Sequence, residues 1–395
     1  MLSGKRILLG ISGGIAAYRT AELARLLQKQ GAEVRCVMTS GACEFITPLT
    51  MEALTGQQVY TELFDLTAER EMGHIRLARW ADVLLVAPAT ADILARFAHG
   101  VCDNLLTTLF QARRGPVLLA PAMNAIMWEA DATQRNVHQL QQAGVHMIGP
   151  AVGDLACGET GPGRMSEPQA VLDAVYPLLT EQVLAGQRWV VNAGPTREAW
   201  DGVRVLSNRA SGRFGACLAE AAWRRGALVH LIAGPGTPQS SAGINRVDVE
   251  TAAQMQHACE QAAGGADVFV ASAAVGDYRF AEYVSGKLKR SGGGEMQIRM
   301  IENDDIVARI AAMPKHPARV IAFAAESEQH IEHGRAKMLA KGADALFAND
   351  MSRMGDEQGA GWWLHGDAVI EAEPMDKTEL AVWLIERISE LGERS

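Results

Sequence analysis

No stretch of the chain reaches the roughly 18 consecutive apolar residues that a membrane span requires. The first residues, Met1-Leu2-Ser3-Gly4-Lys5-Arg6, run straight into an apolar strand pattern without the h-region and small-residue cleavage site of an export signal. No C-x-x-C pair occurs among the six cysteines, Cys36, Cys43, Cys102, Cys157, Cys217 and Cys259, so neither a disulfide frame nor a zinc site is expected. Neither half is basic: residues 1–184 carry 14 Lys+Arg against 18 Asp+Glu, and the remainder 23 against 28, which argues against nucleic acid as a partner. No G-x-x-x-x-G-K-[ST] run is present either, which removes the P-loop. These absences leave a soluble, cytoplasmic protein that handles small molecules, with no membrane and no nucleic acid, as the expectation.

What is present suits that class. The 395 residues, 48% of them hydrophobic, suffice for two or three domains with ample core. Arg6 to Gly10 reads as a strand, Ile15 to Gln30 carries helical spacing closed by Gly31, and Val34 to Met38 is apolar again, a βαβ unit. The turn between, Gly10-Ile11-Ser12-Gly13-Gly14, would offer backbone N–H groups at a helix start to a phosphate. A nicotinamide-dinucleotide site would need G-x-G-x-x-G and an acidic residue ending the second strand, whereas this spacing differs and the strand ends in Thr39-Ser40. The turn also fits G-x-S-x-G with Ser12 as a hydrolase nucleophile, but only nine residues precede Gly10, too few for the upstream oxyanion element. A monophosphate cradle formed by Gly13, Gly14 and the hydroxyls of Ser12, Thr39 and Ser40 survives, beside a plain strand-to-helix turn.

Further on, Ala81 to Pro88 reads as a buried strand ending in Ala87-Pro88-Ala89-Thr90-Ala91-Asp92, and Val117 to Ala120 as another ending in Pro121-Ala122-Met123-Asn124. Polar loops at one edge of an open α/β sheet build ligand sites. Between these elements His74, Leu77 and Ala78 share one helical side, where a lone histidine is ordinarily structural. Five of the cysteines sit among apolar neighbours and read as core. Cys157 differs, lying in Leu155-Ala156-Cys157-Gly158-Glu159-Thr160-Gly161-Pro162-Gly163-Arg164-Met165.

Taken together, GISGGIAAY, HIRLARWAD, PATAD, DNLL, PAMNAIMW and LACGETGPGRM resemble the flavin-dependent cysteine decarboxylases. In particular they resemble the flavin half of the bifunctional coenzyme A biosynthesis family, phosphopantothenoylcysteine decarboxylase joined to phosphopantothenate–cysteine ligase. The resemblance implies bound FMN, with Ser12, Gly13, Gly14, Thr39, Ser40, Pro88, Ala89 and Thr90 on its side of the site. It also implies oxidation of a cysteinyl thiol that lets the neighbouring carboxylate leave as carbon dioxide, followed by re-reduction. His74 would be the base, an imidazole being the side-chain type that exchanges protons near neutrality. Asn124 would anchor the carboxylate and Cys157 would donate the returning proton. Met123, Gly158, Arg164 and Met165 would line or clamp the substrate. Asp92 stands where such proteins commonly have Asn; it would either weaken a contact near the flavin or, as expected here, cap the next helix.

Met165 to about Gly186 reads as a helix, with Gly186-Gln187 as the candidate boundary. A second strand-turn pattern then opens at Trp189 to Ala193, followed by Gly194-Pro195-Thr196-Arg197-Glu198 and a loop through Ser207-Asn208 to Ser211-Gly212-Arg213-Phe214-Gly215. Strands at Leu228 to Ala233, from Asp267, and at Val320 to Phe323 argue for a second parallel sheet, and a hairpin near Trp362 to Ile370 precedes the last helix. Lys287-Leu288-Lys289-Arg290 reads as a phosphate-holding cluster or as a solvated charge run.

GPTRE, SNRASGRFG, AAVGDYR and FAAE resemble the ligase half of the same family. By that likeness CTP activates the 4'-phosphopantothenate carboxylate as an acyl-cytidylate, and cysteine attacks it. Ser211 and Gly212 would cradle phosphates, with Ala274, Phe323, Lys337 and Lys341 as further substrate contacts. Asp277 would serve the nucleotide or a Mg²⁺ ion. Lys287 would serve formation of the activated intermediate and Asn208 the acyl transfer. Gly276 stands where Ala is common, and Phe280 where Pro is. The expected fold is α/β, two doubly wound Rossmann-like parallel-sheet domains, flavodoxin-like over 1–184 and ligase over 187–395. The resemblance further implies a homo-oligomer, trimeric through the flavin half and dimeric through the ligase half, as in a dodecamer. A non-catalytic flavoprotein would have lost His74, Asn124 or Cys157, and a decarboxylase of peptide-terminal cysteine would lack the second half.

Overall fold

The computed structural model describes residues 2–63, 73–154, 158, 160–289, 296–326, 330–350 and 358–392. Two compact units divide the chain, Met1–Glu181 and Gln182–Ser395. Among the described residues no helix is long and apolar enough to cross a membrane.

In the first unit β1 (Arg6–Ile11), β2 (Glu33–Met38), β3 (Val59–Tyr60), β4 (Val83–Ala89), β5 (Val117–Pro121) and β6 (His146–Met147) make one sheet in the order β3-β2-β1-β4-β5-β6, parallel throughout. Apart from the two-residue edge strand β3, the strands lie in the flavodoxin order 2-1-3-4-5 when counted along the chain. Helices cover both faces, which is why β1 is apolar at successive residues rather than alternating. Ile7, Leu9 and Ile11 pack with Leu23, Leu27, Val171 and Tyr176, while Leu8 on the opposite face meets Leu94, Phe97, Leu106 and Leu109. A separate hairpin pairs β7 (Ala151–Asp154) with β8 (Thr160–Arg164).

Three local expectations change. Thr90, not Asp92, caps the helix Ala91–His99: its hydroxyl accepts from Ile93 N–H, while Asp92 lies inside the first turn and pairs with Arg96 at 2.8 Å. The cap needs a side chain one residue ahead of the helical φ/ψ run, and Asp92 is already past it. The helix expected over Met165 to Gly186 spans only Pro168–Leu179, started by proline at N1 and stopped where Thr180 turns extended. Of the cysteines, Cys36 and Cys259 are buried, and burial pushes each thiol up to about 12. Cys102 is exposed, because the preceding helix has closed at the left-handed Gly100 and the chain there runs over the surface.

The second unit repeats the theme. The strands β9 (Arg188–Ala193), β10 (Arg197–Ala199), β11 (Val205–Ser207), β12 (Leu228–Ala233), β13 (Asn245–Asp248), β14 (Val268–Ala271), β15 (Tyr278–Phe280), β16 (Met300–Glu302), β17 (Arg319–Glu326), β18 (Ala345–Asp350), β19 (Gln358–His365) and β20 (Ala368–Asp376) follow one another. Eight form a sheet ordered β13-β12-β9-β14-β17-β18-β19-β20. The six from β13 to β18 are parallel in the Rossmann order, and the β19–β20 hairpin extends them antiparallel. Trp189 and Val191 of β9 face the helices Arg213–Arg224 and Lys377–Ser389, while Val190 faces the other side with Met255, Ile310 and Met338. Where the sequence suggested a loop after Thr196, β10 and β11 pair as an antiparallel hairpin, and β15 pairs with β16 in another.

The entries to β1 and β4 are fixed together. Asp82, just before β4, accepts from the Arg6 backbone N–H and from its guanidinium, each at 2.8 Å. The Arg6 hydrogen bond holds the Asp82 carboxyl below its ordinary value against the opposing effect of burial. A carboxyl depressed in the folded state adds stability at any pH above its unfolded pKa of about 4, and the contribution is lost as pH falls through the folded value. At pH 7, Asp82→Asn is expected to lower hydrogen-exchange protection of the β1 amides by about three- to fivefold. The difference from the unaltered protein should shrink as pH falls below about 4, and a gap that does not diminish with falling pH would show that the charge is not its source.

Candidate functional sites

Each sheet reverses strand order between its first strand and the next one inward, and the loops at those carboxyl ends form the sites. In the first unit the switch lies between β1 and β4. Ser12, 2% exposed, donates to the Pro88 carbonyl at 2.8 Å and accepts from Thr90 N–H at 3.1 Å, so its hydroxyl binds the two loops to each other. Thr39 N–H donates to the Ile11 carbonyl, and Ala122 N–H to that of Ala89, which brings the ends of β2 and β5 to the same edge. Gly13 lies against the backbone of Gly41: a Cβ on it would stand 2.7 Å from the Gly41 carbonyl carbon. Gly14 precedes the first helical turn with no side-chain cap, and Thr39 caps Ser40–Cys43 through Ala42 N–H. The structure thus gathers Ser12, Gly13, Gly14, Thr39, Ser40, Pro88, Ala89 and Thr90 at one sheet edge, a rim of small residues, hydroxyls and a helix start.

The expected substrate side is built next to it. Asn124 caps Ala125–Glu129 with its carbonyl oxygen on Ile126 N–H at 2.8 Å. Met123 N–H donates to the Gly163 carbonyl, and Gly163, at φ +150° and with no room for a Cβ beside the Met123 carbonyl, lets β8 lie on this loop. Arg164 pairs with Glu167 at 2.8 Å. Met165 is 1% exposed in the core with Val171 and Leu172, so it lies beneath the rim and does not wall it. Gly158 takes a left-handed φ of +85° and is exposed, and Cys157 lies outside the described residues. His74 is the first residue of His74–Trp80, which leads through a short turn into β4. A helix that precedes a strand in this way runs antiparallel to it, so His74 stands toward the strands' carboxyl edge. Leu77 and Ala78 are buried and His74 half-buried.

The second switch lies between β9 and β14, at a cavity of about 920 Å³. Asn192, 1% exposed, stitches it: its side-chain oxygen accepts from Ala273 N–H at 2.9 Å and its carbonyl from Ser272 Oγ at 2.6 Å. Asn208, Ser211, Gly212, Ala274, Asp277, Phe323, Lys337 and Lys341 all line this cavity. Ser211 and Gly212 precede the twelve-residue helix Arg213–Arg224, whose start faces it. The Asn208 amide donates to the carbonyls of Ala274 and Val275, each at 3.1 Å. Phe323 stands edge-on to Phe214 at 5.6 Å between ring centroids. Lys341 reaches Asp305 at 2.8 Å. Burial opposes charge on Asp305, but Lys341 and the Ala308 N–H it caps outweigh that and hold the carboxyl below its ordinary value.

Lys287 is not brought to this lining. It is exposed on the segment beside Gly202, as is Lys289, and Arg290 lies outside the described residues. The lining also holds Asn303 and Asp305, which the sequence motifs did not single out; the Glu302-Asn303-Asp304-Asp305 run at the end of β16 was the available signal. Asn303 fixes the Asp277 loop through the carbonyls of Gly276 and Asp277, both at 2.8 Å. Gly276 donates to Thr196 Oγ1 at 2.9 Å, and the nearest atom to a Cβ there would be 3.5 Å away, so either glycine or alanine fits. Among the described residues no group of three or more His, Cys, Asp or Glu forms a metal cage.

Residues 1–180 match the family model described as Flavoprotein, and residues 184–391 that of the DNA/pantothenate metabolism flavoprotein C-terminal domain. The coenzyme A biosynthesis bifunctional protein CoaBC of Vibrio cholerae is 46% identical over 90% of this chain and 89% of its own. That of Escherichia coli is 43% identical over 96% and 95%, and that of Bacillus subtilis 38% over 91% and 89%. The chain belongs to this bifunctional coenzyme A biosynthesis family. It carries a flavoprotein decarboxylase unit and a ligase unit on one polypeptide. The rim at the first switch point suits a flavin's phosphate: glycine backbone, hydroxyls and a helix start are what an anion of that size takes.

Gly13→Ala tests that rim. Its methyl group would displace the Gly41 backbone, an overpacking that is expected to weaken flavin retention about tenfold or more with the far-ultraviolet circular dichroism unchanged. Full flavin absorbance per chain in the variant would refute the role given to this close approach.

Proposed function

We propose that the second unit joins 4'-phosphopantothenate to cysteine with CTP, and that the first, holding FMN, decarboxylates the phosphopantothenoylcysteine so formed to 4'-phosphopantetheine. The carrying observation is the cavity of about 920 Å³ at the second switch point. It has a helix start at one side, and carboxylates, amides and the three lysines Lys337, Lys341 and Lys377 around it.

A carboxylate is inert to amines at neutral pH, so the ligase must activate it. The phosphopantothenate carboxylate oxygen attacks the α-phosphorus of CTP, pyrophosphate leaves, the cysteine amine attacks the acyl carbon, and CMP leaves. The start of Arg213–Arg224, with Ser211 and Gly212, receives phosphate oxygens. Asp277 would hold a Mg²⁺ ion together with the triphosphate, and the ion would supply charge neutralisation there; one carboxylate plus substrate phosphates is a usual set for it. Lys287 supports formation of the acyl-cytidylate and Asn208 acts on the acyl group in the second step.

In the decarboxylase, FMN supplies the two-electron exchange that weakens the bond to the carboxylate. Ser12, Gly13, Gly14, Thr39, Ser40, Pro88, Ala89 and Thr90 hold it. His74 takes the proton from the cysteinyl sulfur. The cap engages the carbonyl end of Asn124, and its donor end holds the carboxylate without a charge that would retain it. Cys157 returns a proton to the product, and Met123, Gly158 and Arg164 border the substrate. Copies of this chain associate in the cytoplasm, a compartment suited to the free thiols. The family resemblance implies a dimeric contact in the second unit and a trimeric one in the first; exposed apolar side chains available to such contacts include Val203, Val205, Leu206 and Tyr283 in the second and Ile15, Tyr18, Leu49 and Ile126 in the first.

Purified protein given phosphopantothenate, cysteine, CTP and Mg²⁺ should release both pyrophosphate and carbon dioxide. His74→Asn should keep pyrophosphate release and lose carbon dioxide release by about 100-fold or more. Lys287→Gln should lose pyrophosphate release but decarboxylate preformed phosphopantothenoylcysteine normally. Carbon dioxide at the unaltered rate from His74→Asn would remove that residue from the chemistry.

A further inference from the structure

We infer that Asp201 is a positioning residue of the ligase: its buried carboxylate fixes the main chain around Lys287 to the hairpin that ends at Asn208. The inference rests on the roles proposed above for those two residues.

Asp201 lies in the turn between β10 and β11, and its side chain is 0% exposed. One oxygen, Oδ1, accepts from the N–H groups of Val203 and Arg204, each at 2.8 Å. Those two bonds complete the turn, and an asparagine would make them equally well. The other oxygen does what the turn does not need. Oδ2 accepts from the Arg204 guanidinium at 3.1 Å and from Leu288 N–H at 3.2 Å, a residue 87 positions along the chain. Burial opposes the negative charge, yet the Val203, Arg204 and Leu288 N–H groups outweigh it and hold the carboxyl below its ordinary value.

Leu288 follows Lys287, and the residue before Lys287 is held as well. Gly202 N–H donates to the Gly286 carbonyl at 3.0 Å, and Val284 N–H to that of Trp200 at 3.2 Å. Lys287 therefore stands between two anchored neighbours, one tied through backbone and the other through the Asp201 carboxylate. Its own side chain is exposed, so this bracket, rather than packing, sets the place from which the ammonium is presented. The same hairpin leads from β11 directly into Asn208, where Ser207 Oγ holds the Thr196 carbonyl at 2.7 Å. The turn thus holds the Lys287 main chain directly and sits on the hairpin whose second strand leads into Asn208, and Arg204 over the Trp200 ring at 5.1 Å stiffens it.

Asp201→Asn keeps the Oδ1 bonds and puts an NH₂ group where Oδ2 received Arg204 and Leu288. In the full-length holoenzyme, the ligase kcat should fall about 10- to 100-fold, the cost of a displacement of roughly 1 Å at a reacting group. The KM for CTP should stay within about twofold, because the cavity lining does not include Asp201, and carbon dioxide release from preformed phosphopantothenoylcysteine should be unchanged. Leu288→Pro removes the partner N–H from the other side and should lower kcat similarly. The double variant should be no slower than Asp201→Asn alone, since both act through one contact. Wild-type kcat in Asp201→Asn, or additive losses in the double variant, would overturn the inference. Should Asp201→Asn not fold, Leu288→Pro at the wild-type rate overturns it instead. Lys287→Gln with full ligase activity would instead topple the role of Lys287 itself, and the inference with it.

Discussion

In each unit a buried polar side chain at the carboxyl end of the central strand ties that strand to its neighbour across the reversal of strand order. Ser12 does so for β1 and β4, and Asn192 for β9 and β14. Parallel pairing brings every strand to the same edge but leaves a crevice where the helices diverge to opposite faces. Burying a hydroxyl or an amide there is affordable only because each finds backbone partners at once. The loops so joined are those that carry the remaining candidate site residues, so the geometry of both sites follows from two side chains committed to backbone partners. Ser12 shows the point: it was read as a phosphate hydroxyl, and it also donates its proton to a backbone carbonyl.

The α/β architecture was legible because it is written locally. Runs such as Ile7-Leu8-Leu9 and Val190-Val191 are apolar at every position, as only strands covered on both faces can be, and glycines or threonines punctuate the helices between them. Pairing that depends on distant partners was not legible. The β10–β11 hairpin contains Arg197, Glu198 and exposed Val205 with little strand pattern, and it holds because Asp201 closes its turn and Glu198, 7% exposed, accepts from Ala252 N–H at 2.8 Å. Antiparallel addition of β19 and β20 was visible as a hairpin, but its attachment to β18 was not.

The sites show the same division. Residues at strand ends, among them Gly13, Thr90, Asn124, Asp277 and Ser211, could be read from the turn chemistry and the motifs around them. Met165 could not be placed, because a helix expected to begin at it begins instead at Pro168 and leaves it in the core. Lys287 was singled out as part of a charge run, yet nothing in Lys-Leu-Lys-Arg tells which main-chain atoms flank it or that Asp201 holds them. Supporting groups that act through another residue have no composition of their own; Asn303 and Asp201 are an ordinary amide and an ordinary carboxylate until the chain folds.

The two chemistries also constrain each other through the compound they share. The proposed ligase product carries a free thiol beside a free carboxylate, the pair of groups that the decarboxylase must receive, and the ligase cannot consume either without destroying it. Its site must therefore activate a carboxylate of one substrate while leaving that of the cysteine untouched. A second unit with a helix start at the sheet edge and Lys287 on a separate loop would separate those functions: on the proposed reading the nucleotide would be held by the rigid elements around Arg213–Arg224, and the group that promotes activation would come from a segment whose position is set elsewhere. On that reading, selectivity between two carboxylates would depend on where the activating ammonium stands relative to the α-phosphorus rather than on the intrinsic reactivity of either acid, and main chain held on both sides of Lys287 is what such a demand would call for.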